Sequence, residues 1–224
     1  MGAMDLEEMK TMIDSWRWDL VFHSIHSVGY SLDGETWRMT KGEVVSMALE
    51  RASNGNVRYA DRRGFDLTTR EGVRIEVKSQ KQIFLKDWRG QPRDILKNQI
   101  QLKNTRGKRQ QQNWRQSFDY LLLIQTVPPF IASIVPWEVV DENVEMAGDQ
   151  VKIVQLKEEQ MTFVTPKNGF EVSFEIAERS WRKEAGRRIL RPSGIPNFNL
   201  RSMLIGQIQL FIDEVERISK PESD

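Results

Sequence analysis

Apolar residues recur along the chain in two periods, and each period predicts its own kind of element. Asp5–Trp18, acidic at its start, predicts a first helix. Val44, Met47, Ala48 and Ala52 fall at helical spacing and predict a second, opened by Thr40 and stopped near Asn54-Gly55. The period then drops to two. Phe65–Thr69 predicts a strand, Arg70-Glu71-Gly72 a turn, and Val73, Ile75 and Val77, alternating with Arg74, Glu76 and Lys78, a second strand. A polar stretch over residues 92–115 predicts helix with a break at Gly107. Asp119–Gln125 is an apolar run of the kind buried on both faces, Pro128-Pro129 ends it, and Phe130–Val135 predicts a strand closing at Pro136. Gly148–Leu156 and Gln160–Val164 are weaker strand candidates, and Leu200–Ile218 predicts an amphipathic helix behind a connector at Pro192–Pro196.

That order predicts an α/β fold with a central mixed β-sheet flanked by helices. Residues 5–199 are expected to form one domain. The helix within 200–224 is expected to pack on it or to supply a dimer interface. Residues 1–4, with two methionines close together, read as an expression scar. No segment reaches the ~18 apolar residues of a membrane span, no signal peptide is visible, and the expected location is cytoplasmic.

Charge changes the picture more than composition does. The 224 residues carry 33 Lys and Arg against 32 Asp and Glu, so a uniformly basic nucleic-acid coat is excluded. The charge is nevertheless segregated. Residues 78–115 hold eleven basic side chains against Asp87 and Asp94, and residues 181–201 hold six against Glu184. Two basic segments in a balanced chain predict a surface that faces a polyanion. The absence of cysteine excludes disulfides, zinc–cysteine sites and cysteine nucleophiles, and leaves oxygen ligands or His23 and His26 for any metal. The two histidines lack acid-rich surroundings and read as structural or surface residues, and most of the seven tryptophans read as packing.

The chemistry concentrates in two facing strands. Glu76 and Lys78 are two apart, so both side chains leave one face, with Ile75 and Val77 on the other. The short turn returns Asp66 beside Glu76. Two converging carboxylates repel unless a hard cation lies between them, and Mg²⁺ prefers carboxylate and water oxygens while leaving positions for substrate phosphate. An alternative reading makes Glu76 and Lys78 ordinary solvent-facing strand residues. Glu8-Met9-Lys10 repeats the Glu-x-Lys spacing on a predicted helix, so that spacing carries little alone.

Asp66, Glu76 and Lys78, with the helix before them and the basic stretch behind, resemble the PD-(D/E)XK nuclease superfamily, which includes many restriction endonucleases and junction resolvases. The resemblance covers residues 41–140, and it departs from the motif in having Gly64-Phe65 where a proline would precede the first acid. It implies a restriction-endonuclease-like core and hydrolysis of phosphodiester bonds with Mg²⁺, for which Mn²⁺ would substitute. Asp66 and Glu76 would hold the metal, and Lys78 would act on water or phosphate. Glu43 is a candidate third acid, with a competing role as the return partner of a Thr40 capping box. Gln80 shares the face of Glu76 and Lys78 and is a candidate contact to phosphate or water, or simply the polar end of a strand.

The expected partner is DNA. Lys81, Lys97, Lys103, Arg106, Lys108, Arg109 and Arg115 are candidate phosphate contacts. Gln99, Gln101 and Asn104 are the residue types that read base edges, and Arg187, Arg188 and Arg191 form a second basic group. The leading expectation is a type II restriction endonuclease acting as a homodimer. The alternatives are a structure-specific nuclease and a non-catalytic DNA-binding protein on the same fold. No Gly-rich Lys-Ser/Thr loop is present, so no nucleotide cofactor is expected.

Overall fold

A computed structural model describes residues 4–31, 34–62, 64–80, 99–103, 116–125, 131–147 and 151–164, with 209–210, 212–213 and 216–217 of the C-terminal segment. The elements in chain order are α1 (Leu6–Asp14), α2 (Trp18–Ser31), α3 (Gly34–Ala52), β1 (Val57–Arg62), β2 (Phe65–Thr69), β3 (Arg74–Gln80) and β4 (Gln99–Lys103). They continue with β5 (Tyr120–Gln125), β6 (Ile131–Pro136), α4 (Trp137–Glu142), β7 (Val144–Ala147), β8 (Val151–Gln155) and β9 (Thr162–Phe163). The chain divides into two compact units. One joins Met1–Asp14 to Asn56–Thr165, and the other joins Ser15–Gly55 to Pro166–Asp224.

The first unit is a mixed α/β unit built on a six-stranded sheet in the order β1-β2-β3-β5-β6-β9. β3 runs parallel to β5 and every other neighbouring pair is antiparallel. β5 is buried along its whole length, as its apolar run requires. Register rows fix the two faces. Ile75 aligns with Tyr120, and Val77 with Leu122 and then Ile134, on one face. There the Tyr120 hydroxyl donates to the Met4 carbonyl at 2.8 Å, tying the chain ahead of α1 to the sheet. Glu76 aligns with Leu121 and Val135, and Lys78 with Leu123 and Ser133, on the other face. Leu121, Leu123 and Val135 join Phe118, Trp137, Val140, Leu156 and Met161 in an apolar cluster, with Phe118 edge-on to Trp137 at 5.0 Å.

A three-stranded antiparallel sheet, β4-β8-β7, contributes Ile100 and Leu102 to the same cluster. This corrects the helix expected over residues 92–115. Gln99–Lys103 is a strand, paired to β8 from Gln99 opposite Gln155 to Lys103 opposite Val151. Ile100 and Leu102 alternate with Gln99, Gln101 and Lys103, and that period of two can bury only one face.

The described residues of the second unit are largely helical. The single helix expected over Asp5–Trp18 is two: α1 ends at Asp14 and α2 begins at Trp18. Trp16 and Trp18, two apart, would point to different sides of a continuous helix; the break lets both rings bury, stacked 6.1 Å apart. The Arg17 amide donates to the Ala52 carbonyl, linking the start of α2 to the end of α3. α3 starts at Gly34, six residues ahead of the expected Thr40, because nothing in Glu35–Met39 interrupts a helix. Its end is where the Asn54-Gly55 signal placed it, both residues having positive φ (52° and 81°). The helical residues near 209–217 belong to this unit: Ile212 is fully buried, Asp213 pairs with Arg51, and Glu216 pairs with Arg17. No helix among the described residues is long and apolar enough to cross a membrane.

Candidate metal and phosphate site

The site forms where β2 and β3 stop pairing. Their ladder includes Thr68 opposite Arg74 and Leu67 opposite Ile75. The same register carried one step further sets Asp66 across from Glu76, but there the Asp66 side chain replaces the backbone partner. Its Oδ2 accepts the Val77 amide hydrogen at 2.8 Å. A strand amide released from its ladder needs an acceptor, and Asp66 supplies one. One carboxylate therefore ends the hairpin pairing and is held against β3, beside the next carboxylate in line.

Glu76 and Lys78 extend from β3 on the same face and pair with each other through Oε1 and Nζ. Both are largely withdrawn from water, with side-chain exposures of 15% and 26%. The cause is the neighbouring strand: Leu121 and Leu123, their register partners, are fully buried. The pair lies along the margin of the apolar cluster. A carboxylate there is costly without a countercharge, and the Lys78 ammonium provides it.

Two features hold β3 in place at this point. Just before Glu76, Asp119 accepts hydrogen bonds from the Arg74 amide at 2.8 Å, from Nε at 3.1 Å and from the terminal guanidinium nitrogen at 2.7 Å. The Asp119 amide donates to the Arg74 carbonyl, and the Asp119 carbonyl accepts the Trp137 amide, so one junction ties β3, β5 and the start of α4. Burial opposes ionisation of Asp119. The side-chain and backbone hydrogen bonds from Arg74 and the guanidinium charge outweigh it and hold the carboxyl below its usual range. Two residues before Asp66, Gly64 has φ +101° and stands so close to Ser117 that an added Cβ would meet the Ser117 Cβ at 2.8 Å. A side chain at position 64 would therefore collide with Ser117.

The sheet brings together Asp66, Glu76 and Lys78. Gln80 ends β3 in register with Gln125 of β5. Gln125 is buried, and sequence reading passed over it; a glutamine closing an otherwise apolar run was the available signal. Gln99, Gln101 and Lys103 are on β4, on the alternate positions to Ile100 and Leu102. Glu43 lies half-buried well inside α3, in the helical unit, so its expected capping role falls with the earlier helix start. His23 is buried in α2, in keeping with a structural role. Lys81, Lys97, Asn104, Arg106, Lys108, Arg109, Arg115, Arg187, Arg188 and Arg191 lie outside the described residues.

Among the described residues, no group of three or more His, Asp and Glu side chains could by itself hold a metal ion. Two carboxylates remain, both hard oxygen donors. That number suits Mg²⁺, which often takes one or two carboxylates and completes its shell with water and phosphate. No protein-family model matches the chain, and no curated protein matches it either.

Proposed function

We propose that the protein is a divalent-metal-dependent DNA endonuclease, with sequence-specific cutting of the type II restriction kind as its specific form. The observation that carries this reading is the juxtaposition of Asp66 with the Glu76–Lys78 pair at the end of the β2–β3 ladder, on a sheet where β3 runs parallel to β5. A mixed sheet accompanied by helices is also the coarse architecture that the nuclease resemblance implies. The basic stretches on either side of β4 supply charge suited to a polyphosphate backbone.

The residues divide the work. Asp66 and Glu76 would hold Mg²⁺, or Mn²⁺ in its place, and a metal so held supplies positive charge to the phosphate and acidifies water. Asp66 keeps its orientation through the Val77 amide. Lys78, a mobile ammonium on a four-carbon stem, orients the attacking water or meets the charge that grows on the phosphate. Gln80, next on that face of β3, is the candidate polar contact beyond it.

The test is incubation of phage-length DNA with the protein and Mg²⁺, with Glu76→Gln as control. Discrete fragments, absent with Glu76→Gln, support a sequence-specific nuclease; a smear supports a nonspecific one. No cutting of linear or branched DNA overturns the catalytic reading. A second reading, a non-catalytic DNA-binding protein, draws on the fact that Lys78 already neutralises Glu76 without a metal. Tight DNA binding without any cutting would favour it.

A further inference from the structure

A metal ion placed on Glu76 would meet Lys78 already paired with the same carboxylate. The ammonium sits on Glu76 Oε1, and both side chains are hemmed by the buried Leu121 and Leu123 of β5. A divalent cation on Glu76 would stand against that ammonium in a half-buried setting, where like charges repel strongly. Glu76 cannot lose both cations at low cost, nor easily keep both. A lysine stem is long enough to swing its head group away. When a phosphodiester is present, the displaced ammonium has an anion to meet.

Resting on the metal-site reading above, we infer that Lys78 is a built-in competitor for the metal: it neutralises Glu76 in the empty protein and yields it when phosphate arrives. The site is then charge-balanced in both states. Metal and phosphate binding become coupled, since each favours the same displaced position of Lys78.

The experiment is calorimetric titration of Mn²⁺ into the DNA-free full-length protein and its variants. Lys78→Met removes the competing charge at nearly constant bulk and should tighten Mn²⁺ binding about fivefold, which corresponds to ~1 kcal/mol for a well-placed, partly exposed ion pair. Lys78→Arg keeps the charge and should bind Mn²⁺ as the parent does. Lys78→Gln reads the same quantity as methionine if the methionine variant does not fold, which a thermal melt reveals. Asp66→Asn should weaken binding in every background. If Mn²⁺ binding depends on Asp66 but is unchanged or weaker in the Lys78→Met or Lys78→Gln protein, the competition is overturned and the metal site stands. Tightening by Lys78→Arg equal to that by Lys78→Met also overturns it, because charge would not be the cause. If no variant binds Mn²⁺, or binding ignores Asp66, both the competition and the metal site are overturned.

Discussion

Asp66 has two separable duties, and the choice of substitution separates them. Its Oδ2 accepts the Val77 amide, and its charge is proposed to hold the metal. Asp66→Ala removes both, whereas Asp66→Asn removes the charge but retains a carbonyl oxygen that can accept the amide. A hydrogen bond to a charged acceptor contributes about 1.5–3 kcal/mol, and the lower end applies because this one is only part-buried. A neutral replacement keeps about 1 kcal/mol of it. Both variants are uncharged at this position, so any effect of losing the charge itself is common to them and cancels in their comparison. Asp66→Ala should therefore be less stable than Asp66→Asn by about 1 kcal/mol, or roughly 2–4 °C in Tm for a chain of this size. Urea unfolding with and without Mg²⁺ measures both duties. Mg²⁺ should raise the midpoint of the parent protein by mass action and leave both variants unmoved. Equal stability of the two variants would refute the role of Asp66 as the amide's acceptor. A Mg²⁺-induced rise in Asp66→Asn equal to the parent's would refute its role as a ligand.

Gly64→Ala should destabilise by ~2 kcal/mol, since the new Cβ meets Ser117 at 2.8 Å in a backbone conformation that disfavours side chains; chemical unfolding should show it, with partial recovery on adding Ser117→Gly. Gly42→Ala should stabilise by about 0.5–1 kcal/mol, because Gly42 lies exposed inside α3 with nothing within 4 Å of an added Cβ; a neutral or negative result in thermal melts would count against a helix running through from Gly34. Asp119 has its carboxyl held below the ordinary 3.8, so its contribution is present above that value and is lost as pH falls through the lower folded value. Asp119→Asn should accordingly flatten the acid limb of the stability profile below about pH 4, and a limb as steep as the parent's would show that the Arg74 junction is not what acid breaks.

What was legible in the sequence follows from how local its causes are. Phe65–Thr69, the alternation from Val73 to Val77, the wholly apolar β5 and the Asn54-Gly55 stop each carry their own signal within a few residues. Elements whose cause is a distant partner were misread. Gln99–Lys103 has the polarity of an exposed helix, and only its pairing with β8 and the burial of Ile100 and Leu102 make it a strand. β1 went unnoticed because Val57–Arg62 has few apolar residues and earns its place by pairing with β2. α2 had a usable signal, Trp18, Val21, Phe22 and Ile25 at helical spacing, but it was hidden by extending the first helix up to Trp18. The Thr40–Glu43 pattern satisfied a capping rule that the chain does not use, since a helix already under way at Gly34 has no amide to cap there.

The two Glu-x-Lys tripeptides show why the element, and not the spacing, decides the chemistry. In α1 a separation of two turns the side chains roughly 200° apart, so Glu8 and Lys10 cannot meet. Each takes a helical partner instead. Glu8 accepts the Asp5 amide while its own amide donates to Asp5 Oδ1, a reciprocal cap, and Lys10 pairs with Asp14 one turn on. In β3 the same separation sets both side chains on one face, so Glu76 and Lys78 pair with each other. Burial does not separate the two cases, since the Lys10–Asp14 pair is as withdrawn from water as the Glu76–Lys78 pair. A third residue, Asp66, arrives only because the β2–β3 turn is short and the ladder ends where it does. The first copy spends its charges on ending and bracing a helix. The second leaves a carboxylate and an ammonium side by side, with Asp66 bound to the next backbone amide, and on that arrangement the proposed metal site rests.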